Sequence, residues 1–108
     1  MIEIDGNVIS LTRGDSAAFV LDLEDEQGEP YVPNEGDVIR FAMSKTYGVD
    51  EPLIRKEVDH ETMQVELEPE DTKHLPFGTY VYDIELTDES GRVATILLSK
   101  LKLTKEVY

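Results

Sequence analysis

The chain has no cysteine and no tryptophan, and its only histidines are His60 and His74. Without cysteine there is no disulfide framework, no thiolate metal site and no cysteine nucleophile. Two histidines leave little material for a catalytic relay or a zinc centre. Both stand in polar stretches with no Gly-x-Ser-x-Gly elbow beside them, so both are expected at the surface. A glycine-rich phosphate loop is also missing. The eight aromatics, three Phe and five Tyr, mostly fall at inward strand positions. Paired carboxylates therefore have no aromatic sugar cleft to work in. Together these absences predict a protein that is not an enzyme and holds no cofactor or metal.

Long apolar runs are lacking too. None approaches the roughly 18 residues of a membrane span, and the opening Met1–Gly6 has neither the basic region nor the apolar stretch of a signal peptide. The expectation is synthesis inside the cell without a secretion signal, and no membrane partner. Bases are scarce: 10 against 24 acids, for a formal charge of −14. Sequence-independent nucleic-acid binding runs on phosphate neutralisation by Lys and Arg, so nucleic acid is not an expected partner. The opposite role, an acidic regulator that mimics nucleic acid, stays open as an alternative. The charge is also uneven. Residues 1–91 carry 23 acids and six bases, whereas 92–108 carry Arg92, Lys100, Lys102 and Lys105 against Glu106 alone. Such a basic strand either pairs with acidic neighbours in its own sheet or docks on an acidic partner, a second copy included.

What is present is period-two alternation, the pattern of half-buried strands. It runs through Val8–Thr12, Ala17–Leu23, Val38–Met43, Leu53–Val58, Met63–Leu67 and Tyr80–Leu86. A longer run, Arg92–Leu103, is apolar on both faces in its middle. Glu26-Gln27-Gly28-Glu29 and Asp88-Glu89-Ser90-Gly91 place a glycine where a tight turn needs positive φ. Pro30, Pro33 and Gly36 mark residues 28–37 as an irregular crossing. Pro69–Leu75 is the one helix-like stretch, with proline at its start and acids in its first turn. With 108 residues and 40% hydrophobic content there is room for one domain, spanning 1–108. The fold class expected is all-β: an immunoglobulin-like antiparallel β-sandwich of about seven strands with one short helical turn. A small closed barrel is the competing architecture. Gly78-Thr79-Tyr80-Val81-Tyr82 favours the sandwich. It follows a helical turn and opens a strand, and there a corner tyrosine, Tyr80, buries its ring and bonds upstream backbone through its hydroxyl.

Two candidate sites remain. Asp22, Glu24, Asp25, Glu26 and Glu29 surround one turn, and Asp83, Asp88 and Glu89 lie near another. Converging loop carboxylates suit calcium, but the alternating EF-hand spacing is absent, and solvated hairpin turns explain the same residues. Arg13-Gly14-Asp15 matches an adhesion tripeptide and reads more simply as a turn between the first two strands. A carbohydrate- or calcium-binding sandwich module is thus the main alternative function.

The order of the segments also carries a resemblance. Leu11-Thr12-Arg13-Gly14-Asp15-Ser16 leads into Phe19–Leu23, and Gly28-Glu29-Pro30 and Gly36–Phe41 follow. Later come Leu67–Thr72, then Leu75–Ile84 and a closing strand. This resembles the immunoglobulin-like β-sandwich modules of phage and prophage structural proteins, and is similar in particular to the N-terminal domain of upper baseplate proteins. The likeness spans nearly the whole chain and consists of fold-making residues. It implies a non-catalytic tail or baseplate component of the virion, made in the host cytoplasm. Such a component acts by protein–protein contact with other virion or tail proteins and often as a homo-oligomer. The longer members continue into a helical stalk and a receptor-binding head. This sequence ends at Tyr108 without them, so an adaptor or an isolated domain is the expectation, and no site residue carries over. The candidate interface is the closing strand, at Leu97, Lys100, Leu101, Lys102 and Lys105.

Overall fold

Two kinds of short-range signal shape the chain: alternating apolar residues, and Asp or Gly at the turns. The computed structural model describes residues 2–25 and 27–105. It contains eight strands: β1 Ile2–Asp5, β2 Val8–Thr12, β3 Ala17–Val20, β4 Val38–Ser44, β5 Ile54–Glu57, β6 Gln64–Leu67, β7 Gly78–Thr87 and β8 Val93–Thr104. One turn of helix, α1 Pro69–Thr72, precedes β7. The strands form a six-stranded sheet in the order β1-β2-β8-β7-β4-β5 and a two-stranded sheet of β3 and β6. Two separate sheets exclude the closed barrel.

The turn chemistry explains the hairpins. Gly6, at φ +61°, opens the two-residue turn that sets Asp5 opposite Val8, the glycine-first pattern of a tight hairpin. Asp88–Arg92 joins β7 to β8. The Asp88 N–H donates to the Arg92 carbonyl at 2.9 Å, and the Gly91 N–H donates back to Asp88 at 2.9 Å, with Gly91 at φ +88°. Asp88 Oδ1 also accepts from the N–H groups of Ser90 and Arg92. The same construction recurs at Asp25–Glu29. There Asp25 Oδ1 accepts from the Gln27 and Glu29 N–H groups, and Gly28 stands at φ +80°.

The alternation becomes the core. Ile39, Phe41 and Met43 of β4, Tyr80, Tyr82 and Ile84 of β7, and Ile9 and Leu11 of β2 are buried on one face of the large sheet. The small sheet covers that face with Phe19, Val65 and Leu67. Phe19 meets Phe41 edge-on, with ring centroids 5.6 Å apart, a favoured aromatic arrangement.

Three expectations need correction. There are eight strands where about seven are expected, the extra one being the four-residue β1. The antiparallel arrangement is not complete, because β2 runs parallel to β8, with Ile9 beside Leu101 and Thr12 beside Thr104. A tight turn forces antiparallel neighbours, but β2 and β8 are joined by no turn, so no local rule sets their direction. The strand at Ala17–Leu23 also stops at Val20. Leu21 and Leu23 still pack on the core, while the chain leaves β6 and closes the Asp25 turn.

Candidate functional site

The small sheet has two short strands and does not reach the full length of β7 and β8. Where it stops, the twelve-residue β8 changes character. Its last four residues, Leu101 to Thr104, lie between β7 and β2. Its first half, Val93–Ser99, pairs with β7 on one side, and among the described residues no strand pairs its other side. Seven residues of open edge exceed what the four-residue edge strands β1 and β5 present. Here Val93 is 59% exposed, Ile96 39% and Leu98 56%.

Between Ile84 and Glu85 the register slips by one residue, so that Leu97 faces Ile84 and Thr95 faces Glu85. Ile96 is the extra residue of this β-bulge. Bulges re-aim side chains, and Ile96 and Leu97 line one recess together. Leu86 of β7, Leu23 and Tyr31 from the 21–31 crossing, and Asn7 from the first hairpin complete it, with Asp22 and Glu24 on its wall. The recess measures about 310 Å³. Tyr31 is fixed beneath it, since its hydroxyl donates to Asp37 Oδ2 at 2.7 Å. Burial, reinforced by the Asp37 carboxylate, pushes the Tyr31 phenol up to about 12.

The expected interface residues divide on this geometry. Leu97 is half-buried and lines the recess, and Lys100, Lys102 and Lys105 are exposed. Leu101 is wholly buried between Ile9 and Tyr80 and presents no surface to a partner. The expectation that the lysines pair with acids across the sheet also fails for Lys100 and Lys102. Their cross-strand neighbours are Val81, Thr79 and Ser10. Sequence patterning does not pick out Leu23, Tyr31, Leu86 and Ile96 as neighbours. The signal that was available is the apolar character of both faces of Ala94–Leu98.

The remaining candidates sit in structural roles. Asp25 and Asp88 use a carboxylate oxygen to hold their own turns, and the Ser90 hydroxyl, followed by the Arg92 N–H, holds the Asp88 carboxyl below its ordinary range. Among the described residues no three Asp, Glu or His groups are placed to hold a metal ion. Glu26 lies outside the described residues. Arg13 is drawn inward: its guanidinium stacks 3.9 Å from the centre of the Phe77 ring and donates to the Leu75 carbonyl. The Gly14 N–H donates to buried Thr72 Oγ1 at 2.8 Å. The tripeptide thus ties the β2–β3 turn to α1 and the start of β7. On the outer face of the large sheet, Arg40 is held between Glu85, at 2.9 Å, and Asp83, at 3.3 Å. Asp83 Oδ1 lies within ion-pair range yet receives no hydrogen bond. His74 is exposed and His60 half-buried. No helix among the described residues is long and apolar enough to cross a membrane. The sequence matches no protein-family model and no curated protein.

Proposed function

We propose that the chain is a non-catalytic structural module that works through protein–protein contact, built on an immunoglobulin-like plan and serving a phage or prophage tail or baseplate. The observation that carries this reading is the unpaired edge of β8, where exposed Ile96 lines a recess with Leu23, Tyr31, Leu86 and Leu97, and Val93 and Leu98 are exposed on the outer face of the same run. Soluble proteins blunt such edges or pair them, and exposed apolar patches mark contact surfaces. The immunoglobulin-like assignment is supported by Tyr80. Its ring is buried, and its hydroxyl donates to the Pro76 carbonyl, four residues upstream, at 2.6 Å, the geometry of the tyrosine corner. A net charge of −14 keeps free copies apart until a partner is met. The calcium alternative draws no support from Asp25 and Asp88, each of which uses its Oδ1 to hold its own turn.

Mass spectrometry of purified phage particles, induced from the source cell, tests the proposal. The chain is expected in a fixed stoichiometry to the tail proteins. Its absence from intact particles overturns the virion assignment.

A further inference from the structure

The open run of β8 is bracketed by cations. Arg92 precedes Val93, and Lys100 and Lys102 follow Ser99; all three are exposed. They stand out in a chain whose residues 1–91 hold 23 acids and six bases. Seven strand residues span about 23 Å, well beyond the ~8 Å over which exposed charges feel each other at physiological salt. The two basic ends therefore act on separate points of anything lying alongside.

A second copy of the same edge fits badly. Antiparallel pairing centred on Ile96 sets Arg92 opposite Lys100 of the second copy, and does so twice. Shifting the centre to Leu97 sets Arg92 opposite Lys102 instead. Like charges directly across a strand pair are destabilising. The recess wall imposes a further condition. Asp22 and Glu24 line the recess together with Leu23, Tyr31, Leu86 and Leu97, so a carboxylate entering it meets two others.

We infer that the edge takes an extended segment of a different polypeptide, apolar through its centre and carrying a carboxylate at each end, which joins the sheet as a strand beside Val93–Ser99. This rests on the reading of β8 as a contact edge and names its occupant. Main-chain hydrogen bonds to the open edge hold the segment, as in other strand additions. A central apolar side chain enters the recess beside Ile96 and Leu97. The terminal carboxylates meet Arg92 at one end and Lys100 or Lys102 at the other, which fixes register.

The test is an NMR titration of the full chain with three nine-residue peptides sharing an alternating Val/Thr centre. One has Glu at both ends, one has Lys at both ends, and one has an extra Glu at its centre. The Glu-ended peptide is expected to shift the amides of residues 93–100 together with Leu23, Tyr31 and Leu86. Its Kd is expected to be about tenfold lower than that of either other peptide. In the double variant Arg92→Glu/Lys100→Glu, both positions exposed, the order of the two end-charged peptides reverses. Equal affinity of the end-charged peptides overturns the charge requirement while leaving the edge as a contact surface. The absence of shifts with every peptide overturns strand addition, and the structural role is then decided separately by particle composition. Shifts at β8 that grow with the chain's own concentration overturn the inference in favour of a second copy.

Discussion

Tyr80 and Thr72 each convert one buried side chain into a fixed crossing of the chain. Tyr80 is 1% exposed, and its hydroxyl reaches the Pro76 carbonyl. Thr72 is fully buried, and its hydroxyl accepts from the Gly14 N–H, 58 residues away in sequence. Pro76 is exposed, so water can replace the tyrosine hydroxyl, and Tyr80→Phe is expected to cost about 1 kcal/mol. Thr72→Val preserves shape but leaves a half-buried N–H without its acceptor, and is expected to cost about 1–3 kcal/mol. Urea unfolding of the two variants measures both, and a Thr72→Val variant as stable as wild type removes the assigned role of that bond. Tyr31 makes a prediction in pH. Its folded-state phenol is raised from 10.0 to about 12, so folding favours the protonated form. The resulting stability is complete below pH 10 and is lost as pH rises from about 10 towards 12. The wild type is expected to lose stability over that window more steeply than Tyr31→Phe, as followed by thermal melts at stepped alkaline pH.

Strand β8 shows how one element serves two purposes. Its Leu101 and Leu103 lie on the core face of the large sheet, Leu101 opposite buried Tyr80, whereas Leu98 stands opposite Asp83 on the outer face and is exposed. Leu101→Ala is therefore expected to destabilise the fold by about 2–5 kcal/mol. Leu98→Lys is expected to stay within about 0.5 kcal/mol of wild type. Chemical denaturation of the pair separates core from surface, and a strongly destabilised Leu98→Lys contradicts the outward placement of Leu98. The bulge at Ile96 and the flanking cations also guard this edge against indiscriminate pairing. The same residues that narrow the choice of partner keep the free chain from joining to itself.

At the scale of the whole molecule, the parts legible in the sequence are those fixed by local rules. Period-two burial locates β2, β4 and β7, and Asp-x-x-Gly marks the Asp25 and Asp88 turns. Proline followed by acids finds α1, and Gly78–Tyr82 finds the buried Tyr80 whose hydroxyl turns back to Pro76. The parts that were not legible depend on distant neighbours. The parallel β2–β8 join has no local signature. Leu98 and Leu101 fall on opposite faces of β8, but the run Ala94–Leu98 is apolar on both faces and does not show which parity turns inward. The recess is assembled from β7, β8, the 21–31 crossing and the first hairpin, which no spacing rule brings together.

The claim on which the account turns is that the open half of β8 is where this chain meets its neighbours. The most direct measurement co-expresses wild type and Ile96→Asp during phage induction and reads their ratio in purified particles by mass spectrometry. Matched melting curves of the two purified chains establish that the variant is folded. The account predicts wild type in fixed stoichiometry and the variant depleted about tenfold or more, because a buried unpaired carboxylate at the contact is costly. A folded Ile96→Asp chain that enters particles as readily as wild type contradicts it.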